Sequence, residues 1–210
     1  MTMFPAELRR PLGKGAQVFA QGDAVTSISL VQSGAISLTR CNADGKEINV
    51  AFLGAGDFFG EEALFGRPLR DTTAICIGAG TIFVVSPELF GAEVRSDPGL
   101  PMRLASNLSL RFDQVTQTVE DLAFANVEAR LLMLFDRLAN RYGIAHSDGV
   151  AVRLRLTHAQ IGVFVGSTRE TVSGHLASLI RRQRIRLEGP YYVLLYEDSV
   201  TSEYAAPRRA

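Results

Sequence analysis

Apolar and polar positions alternate in short runs through the first ninety residues, and glycine-containing turns separate the runs. In Glu47–Leu53, for example, every second residue is a large apolar one, which is typical of a half-buried strand. Asp44-Gly45, directly before this run, is a strong signal for a tight hairpin turn. The even spacing predicts a small β-barrel or jelly roll. The predicted strands are Ala16–Ala20, Ser27–Gln32, Ala35–Cys41, Glu47–Leu53, Thr72–Ile77 and Thr81–Val85, with a turn at Gln32–Gly34.

The apolar spacing changes from two residues to three or four beyond Pro98. This period predicts a helix of about six turns with one apolar stripe, which must be buried. The stripe can lie on its own β-domain or against the same helix of a second copy. The length favours the second copy, because a small barrel cannot cover so long a helix. The stripe consists of Leu104, Leu108, Phe112, Val115, Val119 and Leu122.

The remaining chain predicts a second amphipathic helix at Ala129–Ala139, a loop at Asn140–Gly149 and a compact module over residues 150–200. Within that module, Arg184–Glu188 and Tyr191–Tyr196 flank Gly189-Pro190, which is typical of a closing hairpin.

Two capping-box sequences lie ten residues apart, Thr157–Gln160 and Ser167–Glu170, and each predicts a helix start. Gly162 is expected where a side chain would obstruct a close helix crossing. Gly166 is expected in a left-handed turn. This combination predicts a DNA-reading helix-turn-helix over Thr157–Leu176, and therefore a regulator of transcription. The predicted contacts between its helices are Ile161, Val165, Val172 and Leu176.

The N-terminal positions of the second helix in such a motif face base edges in the major groove. Arg169 can donate to guanine O6 and N7, and Glu170 can accept from cytosine N4. Arg182 is the candidate for a phosphate contact. The full set of candidate DNA-binding residues is His158, Thr168, Arg169, Glu170, Thr171, Ser173 and Arg182.

The net charge of zero conceals an asymmetry. Residues 1–100 hold eight Lys and Arg against eleven Asp and Glu. Residues 150–190 hold seven arginines against Glu170 and Glu188. A basic C-terminal segment on an acidic body suits a nucleic-acid-binding protein, although a charged, solvated surface would give the same count.

Several other classes of protein are disfavoured. The chain contains no apolar run of about 20 residues and no secretory leader pattern, so we expect a cytoplasmic protein without a membrane partner. Cys41 and Cys76 are expected to be reduced thiols. No histidine precedes His146, which argues against a metal-binding enzyme of the cupin type, and no metal site is expected. No nucleophile with a matching base is apparent, so we expect no enzymatic activity.

The sequence strongly resembles the Crp/Fnr family of bacterial transcription regulators over nearly its whole length. The resemblance implies an α+β fold with an N-terminal cyclic-nucleotide-binding-type, jelly-roll-like β-roll (1–96), a long dimerisation helix and hinge (97–126) and a C-terminal winged helix-turn-helix domain (127–210). It also implies a homodimer on pseudo-palindromic double-stranded DNA, with half-sites about 34 Å apart. The motifs that carry it are Gln21–Asp23, Gly34, Asp44–Glu47, Gly56–Glu61, Leu122–Phe124, Arg130 and Arg169–Val172.

One departure from the family lies in the reading helix. Gly174 stands where the family commonly has a guanine-reading arginine, and His175 where an apolar residue is usual. One base contact, worth about 1–3 kcal/mol of discrimination, is therefore expected to be missing. This predicts a relaxed or altered half-site.

The effector pocket departs further. In nucleotide-binding relatives, a Gly-Glu pair and an Arg-Ser or Arg-Thr pair hold the ribose and the cyclic phosphate. Here Asp71 follows Arg70, and is expected to repel the phosphate or to pair with Arg70. Of two purine-contacting positions, Val115 and Thr116, one lacks a hydroxyl. The candidate pocket residues are Gly60, Glu61, Arg70, Thr72, Thr73 and Thr116.

These departures favour activity without any effector or cofactor, as in some members of the family, with cyclic-nucleotide control as the alternative. Two cysteines are too few for an iron–sulfur cluster. The three histidines, His146, His158 and His175, all lie outside the β-roll, so a haem there would lack an obvious ligand.

The segment Ala145–Gly149 resembles the surface with which activators of the family contact RNA polymerase. His146 and Gly149 are therefore candidate polymerase contacts, and activation is favoured over repression; a plain exposed loop is the alternative. A regulatory module of a larger enzyme is also conceivable, but the helix-turn-helix argues against it.

Overall fold

The computed structural model describes residues 4–195. Its N-terminal sheet is organised by two long antiparallel strands, β3 and β6, in the order β1-β6-β3-β4, while β2 also pairs with β6 and β5 with β3. Alternate residues of these strands face an apolar interior that contains Phe59, Ile36 and Ile82, each at most 1% exposed. The strands are β1 Arg9–Leu12, β2 Gln17–Phe19, β3 Ile28–Cys41, β4 Glu47–Leu53, β5 Phe58–Phe59 and β6 Thr73–Val85, with short 3₁₀ helices at Ala6–Leu8 and Glu61–Phe65.

Strands β3 and β6 each run through a point where the sequence predicted a break. The expected turn at Gln32–Gly34 is wrong: the register shifts there, but the chain does not reverse. Gly34 has φ +89°, and a Cβ on it would lie 2.7 Å from the Cα of Gly80. A Cβ on Gly80 would lie 2.1 Å from the carbonyl oxygen of Ser33. The two glycines thus allow a bulged, close approach of continuous strands.

Helix α1 (Pro87–Ser96) was not predicted. Its first turn is capped by Ser86, whose hydroxyl accepts a hydrogen bond from the backbone N–H of Leu89 at 3.3 Å. Pro87 at the first helical position suits this start, because the missing N–H needs no partner there. Phe90 anchors the helix in the β-roll core.

Helix α2 (Leu100–Phe124) is the long helix that the sequence predicted. Its N-terminal end is buried in the β-roll core through Leu100 and Leu104. Further along the same stripe, Phe112 and Val119 are 72% and 60% exposed. The β-roll therefore covers the start of the stripe and leaves the later part open.

The chain divides into two units between Glu120 and Asp121, and α2 crosses this boundary. The predicted domain limits at residues 96 and 126 stay predictions. The second unit contains α3 Val127–Tyr142, β7 Gly143–His146, β8 Gly149–Val152, α4 His158–Val165, α5 Arg169–Arg181, β9 Ile185–Glu188 and β10 Tyr191–Leu195, with its sheet in the order β7-β8-β10-β9.

The predicted loop at Asn140–Gly149 is wrong. Asn126 caps α3 through a hydrogen bond from the backbone N–H of Ala129 (2.9 Å), and the helix continues to Tyr142. A β7–β8 hairpin follows, with a two-residue turn at Ser147-Asp148. The predicted closing hairpin is confirmed as β9 and β10; Tyr196 lies outside the described residues. The α+β class, with an N-terminal β-domain and a C-terminal helix-turn-helix, is confirmed.

No helix of residues 4–195 is long and apolar enough to cross a membrane.

Candidate functional site

The two helices of the helix-turn-helix are α4 and α5. Thr157 and Gln160 form the predicted capping box at the start of α4. Gly166 ends the helix in the left-handed conformation, with φ +59°. A Cβ on Gly162 would lie 2.7 Å from the carbonyl oxygen of Ser167, so the close approach behind the turn depends on a glycine. The local signals in the sequence thus predicted this turn correctly.

The second capping box is wrong by one residue. Helix α5 is capped by Thr168, whose hydroxyl accepts a hydrogen bond from the backbone N–H of Thr171 at 3.2 Å. Ser167 belongs to the turn, where its own N–H is hydrogen-bonded to the carbonyl of Gly162. Glu170 is therefore the second residue of the helix rather than the third, the position from which a side chain reaches back to the cap.

The first turn of α5 presents polar side chains to solvent. Thr168, Arg169, Glu170 and Thr171 are all exposed, whereas Val172 is fully buried behind them. The structure thus brings four of the predicted DNA-binding residues together in the exposed first turn of α5 and its cap. Ser173 and His158 are half-buried, with His158 Nδ1 2.7 Å from Ser173 Oγ.

Arg182 lies at the other end of α5, where it is paired within the module. Its Nη2 is 2.6 Å from Glu128 Oε2 on α3, and this hydrogen bond lowers the pKa of Glu128. His175 Nδ1 lies 3.8 Å from the same carboxylate oxygen. The nearby Glu128 carboxylate thus explains why a polar histidine is found at position 175. Its pairing with Arg182 also reduces the positive charge that Arg182 can offer to a DNA phosphate.

Gly174 lies in the middle of α5 with open space around it. It is exposed, and no atom would lie within 4 Å of an added Cβ. Gly174→Ala is therefore expected to increase the free energy of unfolding by about 0.5–1 kcal/mol, because glycine loses more backbone entropy in a helix than alanine. Urea denaturation followed by circular dichroism measures this change.

The matched control is Gly162→Ala, whose Cβ would meet the Ser167 carbonyl. This variant is expected to be destabilised. A Gly174→Ala protein no more stable than the natural one would contradict the expectation.

A cavity of about 350 Å³ opens in the β-roll beside the first turn of the 3₁₀ helix that begins at Glu61. Arg70, the candidate phosphate ligand, is not among the residues that line the cavity and is 3% exposed. Its guanidinium pairs with Glu62 at 2.9 Å and donates to the carbonyl oxygen of Ser27 at 2.6 Å. The cavity is lined by Leu38, Val50, Gly60, Glu61, Glu62, Phe65, Arg67, Asp71, Thr72, Leu108 and Arg111.

The other charged side chains at the cavity are also paired. Glu61 binds Arg111 of α2 at 2.7 Å. Asp71 binds Arg67 at 2.9 Å, which corrects the expectation that it pairs with Arg70. The cavity therefore offers carboxylates and guanidinium groups that already neutralise one another.

The three threonines predicted for the pocket lie in different surroundings. Thr72 lines the cavity. The hydroxyl of Thr73 accepts a hydrogen bond from the backbone N–H of Gln21 at 3.0 Å, and so supports the neighbouring turn. Thr116 is exposed on α2 and is not among the residues that line the cavity.

Polar residues of α2 that sequence reasoning missed dock the helix on the β-roll. Asn107 Oδ1 accepts from the N–H of Phe58 at 2.8 Å, and Gln114 Oε1 accepts from the N–H of Phe52 at 3.0 Å. Arg111, between them, donates to the carbonyl of Phe58. Their spacing of four and three residues was the available signal, because it places them on one helical face.

The predicted polymerase contacts lie in the β7–β8 hairpin. His146 Nδ1 is 2.7 Å from Asp148, and its Nε2 is 3.1 Å from Glu188. Asp148 also pairs with Arg186, whose hydrogen bonds hold the pKa of that carboxyl well below its usual range. Gly149 is buried, and a Cβ on it would lie 2.1 Å from the carbonyl oxygen of Leu194 on β10. Close strand packing therefore requires a glycine at 149, while the ion-pair cluster is on the surface.

Known proteins resemble both units. The model of the cyclic nucleotide-binding domain matches residues 9–97, and that of the Crp-like helix-turn-helix domain matches residues 128–198. The global nitrogen regulator of Synechococcus elongatus is 30% identical over 186 residues, which cover 84% of each chain. The CRP-like cAMP-activated global transcriptional regulator of Mycobacterium tuberculosis is 29% identical over 176 residues, 84% of this chain and 79% of the relative.

The fold also matches solved structures. The c-di-GMP-responsive global regulator CLP of Xanthomonas campestris superposes with a TM-score of 0.78, at 24% identity, over 90% of this chain and 94% of CLP. Taken with the sequence matches, this shows that the chain belongs to the Crp/Fnr family of DNA-binding transcription regulators, which are not enzymes.

Proposed function

We propose that this regulator binds pseudo-palindromic DNA as a homodimer and does so without a small-molecule effector or cofactor. The observation that supports independence from an effector is the pairing of Arg70 with Glu62 in the β-roll, where Arg70 is 3% exposed. A cyclic phosphate is bound by N–H donors that are free to point at it. Here the guanidinium most suited to that role is buried, does not line the cavity and is already paired with Glu62.

The charges at the cavity also oppose an anionic ligand. Three carboxylates line it, from Glu61, Glu62 and Asp71, against the guanidinium groups of Arg67 and Arg111. A phosphate would have to separate Arg70 from Glu62 and leave that carboxylate without its cation.

Control by a cyclic nucleotide is the second candidate. It is favoured by the match to the M. tuberculosis regulator, which is cAMP-activated, and by the presence of Gly60 and Glu61 at the cavity. The two candidates differ in whether the nucleotide changes the affinity for DNA.

The exposed stripe of α2 supports the homodimer. Phe112, Val115 and Val119 follow at helical spacing and are 72%, 38% and 60% exposed. A second α2 would cover them as a two-helix seam. Twofold symmetry of the dimer then requires a DNA site with two inverted half-sites, about one helical turn apart.

We further propose activation through a contact with RNA polymerase at the β7–β8 hairpin. The surface cluster of His146, Asp148, Arg186 and Glu188 supports this role, because a fixed pattern of both charges can recognise a complementary protein surface. Transcription in vitro from a selected site, with the natural protein and with Arg186→Ala, tests this proposal. Loss of activation with unchanged DNA affinity is expected.

The effector question is decided by selecting DNA sites with the purified full chain, and then measuring affinity for the selected site with and without cyclic AMP. We expect the nucleotide to change the dissociation constant by less than about twofold, whereas allosteric effectors act by about 5- to 150-fold. Cyclic GMP serves as the second ligand and a scrambled duplex as the DNA control. Specific binding that needs cyclic AMP would refute effector independence.

A further inference from the structure

The hydroxyl of Ser173 has two close neighbours. Its Oγ lies 2.8 Å from the backbone carbonyl oxygen of Arg169 and 2.7 Å from Nδ1 of His158. A serine hydroxyl has one proton to donate, and a carbonyl oxygen can only accept. The Ser173 hydroxyl therefore donates a hydrogen bond to the backbone carbonyl oxygen of Arg169. The hydroxyl oxygen in turn accepts a hydrogen bond from Nδ1–H of His158.

This arrangement leaves Ser173 without a proton for a base edge. Ser173 is half-buried, unlike the exposed residues of the first turn of α5. The bond from His158, however, fixes the tautomer and the orientation of the imidazole, because one ring nitrogen is tied to α5. Nε2 is the free nitrogen of that ring, with no hydrogen bond to residues 4–195.

His158 is the first residue of α4, directly after the capping Thr157. The first helix of a helix-turn-helix crosses the DNA backbone, so its start meets phosphates rather than base edges. We propose that Ser173 is a positioning residue, which holds the His158 imidazole so that Nε2 donates to a DNA phosphate. The inference rests on DNA binding and is independent of the effector question.

The hydrogen bond to Ser173 determines which form of the His158 ring can make this contact. When Nδ1–H of His158 donates a hydrogen bond to Ser173, a neutral ring presents only a lone pair at Nε2. Donation to a phosphate therefore needs a second proton on the ring.

A double-mutant cycle with the full chain tests the proposal. Affinity for a selected site and for a scrambled duplex is measured for Ser173→Ala, His158→Ala and the double variant. Each single variant is expected to lose about tenfold on both duplexes, since hydrogen bonds to charged groups are of that strength. The double variant should bind no more weakly than His158→Ala, because both changes remove one contact.

Two further variants separate positioning from a merely structural role. Ser173→Thr keeps the hydroxyl and should restore affinity, whereas Ser178→Ala on the same helix should have no effect. Melting curves for each variant exclude unfolding as the cause.

A changed preference at one base pair in Ser173→Ala would instead make Ser173 a base reader and overturn the proposal. The proposal would also be overturned if the loss of DNA affinity in the double variant equalled the product of the losses in the two single variants.

Discussion

Replacing Phe112 by aspartate is expected to convert the proposed dimer into monomers and to weaken binding to a full DNA site by about a hundredfold or more. Phe112 is a large apolar residue in the open part of the α2 stripe, and it is 72% exposed. In a two-helix seam it would face the same stripe of the second copy, where a carboxylate would lose its water without gaining a partner. Central aromatic residues of interfaces commonly contribute that much.

The chain supplies a matched control for this variant. Leu110 is also on α2, is 59% exposed and lies two residues away, so it belongs to a different face of the helix. Leu110→Asp should leave both the dimer and the DNA affinity unchanged. Sedimentation equilibrium gives the oligomeric state, and fluorescence anisotropy gives the affinity for full sites and half-sites.

The half-site provides the sharpest readout. Phe112→Asp should bind an isolated half-site as well as the natural protein does, because α5 and its reading face are untouched. If Phe112→Asp remained dimeric, or if Leu110→Asp dissociated equally, the α2 stripe would not be the dimer interface.

The bounds of strand β4 could be predicted from the sequence pattern alone. Its observed bounds, Glu47–Leu53, are those predicted, because alternation within the run and a strong turn before it act locally. The continuity of β3 and β6 could not be predicted in this way. It depends on the close approach of Gly34 and Gly80, which are far apart in the chain, and a glycine in isolation signals a turn as readily as a bulge.

The helix-turn-helix and the β-roll cavity show the same difference: contacts between residues close in the chain were predictable, and contacts between distant residues were not. The turn between α4 and α5 was predictable, since Thr157, Gly162 and Gly166 act within a few residues. The pairing of Glu61 with Arg111 joins residues 50 positions apart, and that of Arg182 with Glu128 joins two helices. The charge of an arginine in the sequence does not determine which carboxylate it will pair with in the fold. The pocket and the role of Arg182 were therefore the weakest parts of the sequence-based picture.

Arg169→Ala is expected to weaken binding to the selected site by about 5- to 150-fold, the range for losing one bidentate contact to guanine. Arg169 is exposed in the first turn of α5, next to the cap at Thr168. Random DNA should be affected much less, because a base contact contributes only where the right base is present. Site selection with the variant should show relaxed preference at one base pair in each half-site.

Arg182→Ala is the control, since its guanidinium is held by Glu128 at the far end of the same helix. A phosphate contact from that position would weaken specific and random DNA alike and reduce the dependence on salt. The prior pairing with Glu128 should make this loss smaller than that of Arg169→Ala on the selected site. Equal losses on specific and random DNA for Arg169→Ala would reject its role as a base reader, because only a contact to the sequence-independent backbone acts on both.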